Sequence, residues 1–148
     1  MFTSVSSRAA ASAYRRVAAE TRVQGADPHQ LVELLFEGLL QAIAGARGAI
    51  TRGDTAGKGA AIGRAVRIIE EGLKAGLNLR EGGDIAANLH NLYGYSIGRL
   101  THANLRNDIA ALEEVHGLIE PLAKSWQQIR SSGPAYLQAV PGNSARGA

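Results

Sequence analysis

LREGGDIAANLHNLYGYSIGRLTHANLRNDIAALEEVHGLIEPLAKSWQQI, residues 79–129, carries two long amphipathic patterns separated only by Asn107 and Asp108. Before the joint, Ile85, Leu89, Leu92, Tyr93, Ser96, Ile97, Leu100 and Ala103 recur at spacings of three and four. After it, Leu112, Val115, Leu118, Ile119, Leu122, Trp126 and Ile129 do the same. Such spacing lines one face of an α-helix. Two residues leave no room for a loop, so the helices must fold back on each other antiparallel. Neither half gathers side chains that could perform chemistry.

Upstream, Asp27-Pro28-His29-Gln30 is a helix start: Asp27 caps, Pro28 suits the first helical position and Gln30 completes a capping-box-like spacing. Leu31, Leu34, Leu35, Leu39, Ala42, Ile43, Ala46 and Ile50 follow as a core-facing stripe, which Gly53 stops before Asp54 caps again. The next helix begins weakly at Ala56-Gly57-Lys58-Gly59 and then turns strongly apolar. Ile62, Ala65, Ile69 and Leu73 form its row, and Val66, Ile68, Leu77 and Leu79 widen that row. Glu81-Gly82-Gly83 reads as a turn, with Asp84 capping the third helix. Four helices of about 24 residues, each about 36 Å long, therefore alternate in direction. The fold class is all-α, an up-down-up-down antiparallel four-helix bundle. Residues 1–12 read as a mobile N-terminus, residues 13–20 as a short helical segment, residues 13–131 as the bundle domain and residues 132–148 as a loose tail.

A chain of 148 residues buries a core without metal or disulfides, and it has no cysteine for a thiolate site or nucleophile. Only 5% of residues are aromatic, which disfavours a β-sandwich. The charge of +3 and the pI of 9.6 raise a nucleic-acid-binding bundle as one rival. The basic residues are scattered, however, and only Arg8, Arg15, Arg16 and Arg22 approach a cluster. No window reaches the roughly 18 consecutive apolar residues of a membrane span, and the reading is cytosolic with no membrane insertion.

Glu113-x-x-His116 has the spacing by which ferritin-like bundles hold metal, so a carboxylate-bundle metalloprotein is a second rival. A second such pair is missing, and no metal or other cofactor is expected. His29, His90, His102 and His116 converge on nothing, and all read as surface residues. An enzyme is not indicated. Gly38, Gly45, Gly48, Gly63, Gly72, Gly94, Gly98 and Gly117 fall inside helices. Each costs about 0.5–1 kcal/mol relative to alanine. Compositional bias, close helix approach and a bundle kept loose for a partner are the three readings of that excess.

The second helix carries more apolar side chains than one stripe needs, and the third adds Tyr93 and Tyr95, whose amphipathic rings suit interfaces. Either the bundle core uses them all, or they form a groove for an amphipathic helix. The Tyr14 segment could cover such a groove when the partner is absent. Self-association is a third possibility.

These residues resemble one family. Ala13-Tyr14, then Asp27-Pro28-x-x-Leu31-Val32-x-x-Leu35-Phe36-Glu37-Gly38, are similar to the opening of the flagellin export chaperone family FliS. So are Leu79-x-x-Gly82-Gly83-x-Ile85-Ala86-x-Asn88-Leu89, Leu92-Tyr93-x-Tyr95, Ala103-Asn104-Leu105-x-Asn107-Asp108, Leu112-x-Glu114-Val115 and Trp126. Gly94 departs from the family, which usually has an acid between the two tyrosines. The resemblance implies a cytosolic helical bundle that binds the disordered C-terminal segment of flagellin in apolar grooves. It implies that the partner folds as it binds and stays unpolymerised before export, with export-gate components as a further partner class. By position, Tyr14, Ile62, Val66, Ile69, Tyr93, Ile97 and Leu100 are the expected groove residues.

Overall fold

The computed structural model describes residues 27–131, all of them in helices and the short joints between them. The expected mobile N-terminus, the short helix of residues 13–20 with Tyr14, and the tail of residues 132–148 lie outside the described residues.

Helix α1 spans Pro28–Arg52. The Asp27 carboxylate accepts the Gln30 N–H at 2.7 Å, and Pro28 sits at the first helical positions, where its missing N–H costs nothing. At the far end Gly53 turns left-handed, with φ 71°. That turn lets the Asp54 N–H close onto the Ala49 carbonyl at 2.8 Å. Asp54 then caps α2, Thr55–Arg67, by accepting the Gly57 N–H at 2.9 Å. These ends are local hydrogen-bonding problems, and the residues at them solve them locally.

Beyond Arg67 the chain departs from the uniform helix that periodicity predicts. Residues Ile68–Lys74 form a π-helical segment in which Ile68, Ile69, Gly72 and Leu73 are all buried. Ile68 is thus core, not a half-exposed flank. The helical run also stops at Lys74, short of the row extended to Leu79. Asn78 caps the next helix by accepting the Glu81 N–H at 3.0 Å. Leu79, on that new first turn, is therefore 50% exposed.

Helix α3, Leu79–Arg106, is broken at Gly83, whose φ of 58° and ψ of −138° are open to glycine but strained for other residues. The expected turn is thus a kink after one helical turn, and the cap falls on Asn78 rather than Asp84. Past the kink Ala86, Tyr93, Ser96, Leu100 and Ala103 face inward. Ile85, expected in that stripe, is 73% exposed because it sits at the open end of the bundle.

The joint between α3 and α4 (Ile109–Ser131) is as tight as the sequence demands. Asn107 adopts the left-handed conformation, φ 53°, and the Asp108 carboxylate accepts the Ala111 N–H. The joint has a further anchor. Lys58, 9% exposed, reaches across from α2 and donates to the Asn104 carbonyl and to Asn107 Oδ1, both at 2.7 Å. An ammonium at a helix C-terminus satisfies carbonyls that the helix itself leaves unpaired. Lys58→Met keeps the aliphatic stem and removes both bonds. It is expected to lower the unfolding free energy by about 1.5–3 kcal/mol, the range for hydrogen bonds to a charged group. Urea denaturation measures the change, and an unaltered midpoint would show that the joint does not depend on this lysine.

Ring closure is antiparallel throughout. Trp126 Nε1 donates to the His29 carbonyl at 2.9 Å at one end of the α1–α4 pair, and Arg47 meets Glu113 at 2.9 Å toward the other. The core runs through the middle as Leu35, Leu39 and Ile43 of α1, Ile62 and Ile69, Leu100, and Leu112, Val115 and Ile119 of α4. Pro121 lies inside α4 on an exposed position. The Gly117 carbonyl that it cannot serve is on an exposed residue too, so water can take the place of the missing N–H.

Candidate partner-binding cleft

At the end of the bundle where α1 begins and α4 finishes, the four helical runs do not close over the core. They leave a cleft of about 700 Å³. Helix α1 contributes Pro28, His29, Val32 and Phe36, which succeed one another by about one helical turn. The π segment and the turn after it supply Gly72, Leu73, Gly76 and Leu77. Ile85, Leu89 and Tyr93 come from α3 at spacings of four, and Leu122, Ser125, Trp126 and Ile129 from α4. Val32, Leu77, Leu89, Leu122 and Trp126 are partly buried and pack against the core, so the cleft is the core's own surface left open.

None of these lining residues is Asp, Glu, Lys or Arg. Such a wall cannot run acid–base chemistry between carboxylates or hold a hard cation, but it favours apolar side chains brought from water. Burial in it pushes the Tyr93 phenol up to about 12, because the phenolate would lose its hydration. Tyr93 thus stays a neutral, largely apolar wall.

His29 is not the surface residue that its place at a helix start suggests. Its ring stacks on Trp126 with centroids 4.4 Å apart and planes 14° from parallel. Both ring nitrogens are closed to solvent and have no hydrogen-bond partner.

Of the residues assigned to a groove from sequence, Tyr93 lines this cleft. Ile62, Ile69 and Leu100 lie in the core, fully enclosed. Val66 and Ile97 are partly buried and pack against it. Tyr14 is outside the described residues. The cleft residues not singled out were Val32, Phe36, Leu77, Leu89 and Trp126. Their signal was present in the apolar stripes, but nothing in a stripe says at which level the bundle stops being closed.

A second, more polar depression of about 660 Å³ lies between the C-terminal half of α1 and the start of α4, lined by Ile43, Arg47, Arg52, Leu112, Glu113 and His116 among others. Glu113 is engaged there by Arg47, and among the described residues no three His, Asp or Glu side chains gather as metal ligands. Tyr95, the other interface candidate, is half-exposed and donates to Glu114, which also accepts Arg99 Nε at 2.8 Å. The Tyr95 hydroxyl, then Arg99, hold the Glu114 carboxyl below its ordinary range. His102 pairs with Asp108 at 3.2 Å on the same face. Among the described residues no helix is long and apolar enough to cross a membrane.

Residues 10–133 match the family model described as flagellar protein FliS. The chain is 50% identical over 117 residues to the flagellar secretion chaperone FliS of Salmonella typhimurium, covering 79% of this chain and 87% of that protein. It is 42% identical over 116 residues to the flagellar secretion chaperone FliSB of Pseudomonas aeruginosa, covering 78% and 91%. With the flagellar secretion chaperone FliS of Escherichia coli K12 the identity is 38% over 126 residues, covering 85% and 92%.

Proposed function

The chain belongs to the FliS family of flagellar proteins, and on that premise we propose that it is a cytosolic export chaperone for flagellin. It binds the C-terminal segment of flagellin as an amphipathic helix, keeps that segment from polymerising and holds it ready for export. The observation that carries this reading is a cleft, continuous with the core, whose wall has no charged side chain. A segment that cannot bury its own apolar face gains a temporary core there, and its ordering cost is offset by the area it buries. No catalytic step, nucleotide or metal enters the reading.

The groove residues expected from sequence take different parts in it. Tyr93 touches the partner in the cleft. Val66 and Ile97 extend the contact along α2 and α3, and Ile62, Ile69 and Leu100 hold the floor beneath. Tyr14 belongs to a segment that joins the bundle at Pro28, itself a cleft residue, and that segment covers the cleft until flagellin displaces it. Export-gate components engage the loaded chaperone.

Ile85 gives the cleanest test, because it lines the cleft while being 73% exposed. Calorimetric titration with the flagellin C-terminal segment is expected to show binding that Ile85→Glu weakens by about tenfold or more, since a carboxylate must be desolvated against an apolar helix. The thermal melt of the free protein should not move. A scrambled peptide that binds as tightly as the native one would sink the proposal.

A further inference from the structure

We propose that His29 is the specificity element of this cleft: it selects a bound helix that presents one neutral hydrogen-bonding side chain, an amide or a hydroxyl, among its apolar residues. The inference rests on the chaperone reading above and names what that site asks of its partner.

A neutral imidazole carries one donor and one acceptor nitrogen. In His29 both are sealed from water and both lack a partner. Native structures rarely leave buried polar atoms in that state, and the exceptions ask for an explanation. The ring is not free to swing out and find water, because it stacks flat on Trp126 at 4.4 Å. The backbone beneath it is pinned as well, by the Trp126 Nε1 bond to the His29 carbonyl at 2.9 Å. That bond also uses the indole's only donor. The remaining polar side chains on the wall are the Tyr93 hydroxyl and the exposed Ser125. Unmet hydrogen bonding in the cleft therefore concentrates at His29.

The chemistry of the missing partner follows from that demand. A leucine on the bound helix leaves both nitrogens unpaired. Carboxylates only accept, ammonium and guanidinium groups only donate, and each would bring a charge against a wall that has none. An amide or hydroxyl supplies both functions without charge. The unpaired nitrogens weaken the free protein and are satisfied on binding, so stability is exchanged for selectivity.

A double-mutant cycle tests this with the full-length protein and the flagellin C-terminal segment. On the protein, His29→Phe keeps the stacking ring and deletes both nitrogens; His29→Gln keeps a donor and an acceptor without the ring. On the segment, each Asn, Gln, Ser and Thr is changed to Leu in turn. One of these changes is expected to weaken binding to the native protein by about tenfold and to leave binding to His29→Phe unchanged. His29→Gln should retain part of that discrimination. Free His29→Phe should melt at a higher temperature than the native protein, because no unpaired nitrogens remain. The inference is overturned if every segment variant ranks alike against the native protein and His29→Phe, or if His29→Phe melts lower. Should Ile85→Glu leave binding intact, the cleft itself is not the binding site and both readings fall. Loss of binding in Ile85→Glu with no effect of His29→Phe removes only the role of His29.

Discussion

Replacing Gly59, Gly63, Gly94, Gly98 and Gly117 together by alanine is expected to raise the unfolding free energy by about 2.5–5 kcal/mol, from about 0.5–1 kcal/mol at each helical position. A Cβ built at any of the five meets nothing within 4 Å, so the gain is not offset by a clash. For a domain of this size that is a rise in melting temperature of roughly 10 °C or more. None of the five lines the cleft, so affinity for the flagellin segment should be retained. Differential scanning calorimetry of the quintuple variant decides the first point and titration the second. A melt that does not rise would mean that these helix faces are covered in the protein. A raised melt with lost affinity would favour the third reading of the glycine excess, a bundle kept loose for its partner. Close helix approach does not account for these five positions, since their outward faces are open.

Ile69→Ala and Leu100→Ala are each expected to cost about 2–5 kcal/mol, the range for truncating an enclosed aliphatic side chain. Both residues are fully buried, and both belong to the core that joins all four helices. The cost contains the lost transfer energy and the cavity left behind, because a bundle held at both ends by short joints relaxes little. Ile85→Glu, by contrast, should stay within about 0.5 kcal/mol of the native protein, as surface substitutions usually do. Urea unfolding of the three variants separates a structural floor from a contact wall. If the two alanine variants were as stable as native while losing flagellin affinity, the floor would be a contact surface reached only when the bundle opens.

Those three residues mark how far periodicity reaches. Leu100 and Ile85 both fall on the apolar stripe of α3, fifteen residues apart, yet one is fully buried and the other is 73% exposed. A stripe specifies a direction around the helix axis but not a level along the bundle, and burial depends on both. His29 shows the same limit from the polar side. Its environment is set by Trp126, 97 residues away, and no local pattern announces that pairing. Lys58 sits in a weak helix start read as polar surface, and only the arrival of Asn104 and Asn107 makes it a buried cap.

What the amino-acid sequence determines by itself is everything settled within a few residues: the caps at Asp27 and Asp54, the stop at Gly53, the two-residue joint at Asn107 and Asp108, and so the alternation of four helices. These are hydrogen bonds and backbone conformations formed between near neighbours, and the same residue types meet the same needs in any protein. The family resemblance was legible for a related reason, since those residues stand at ordered positions along the chain. Only the tertiary structure decides the π-helical segment of Ile68–Lys74, the shift of the cap to Asn78, the open end above Tyr93 and the unpaired imbalance at His29. Each depends on where one helix ends against another. Packing of distant segments sets that, and packing is a property of the whole bundle rather than of any stretch within it.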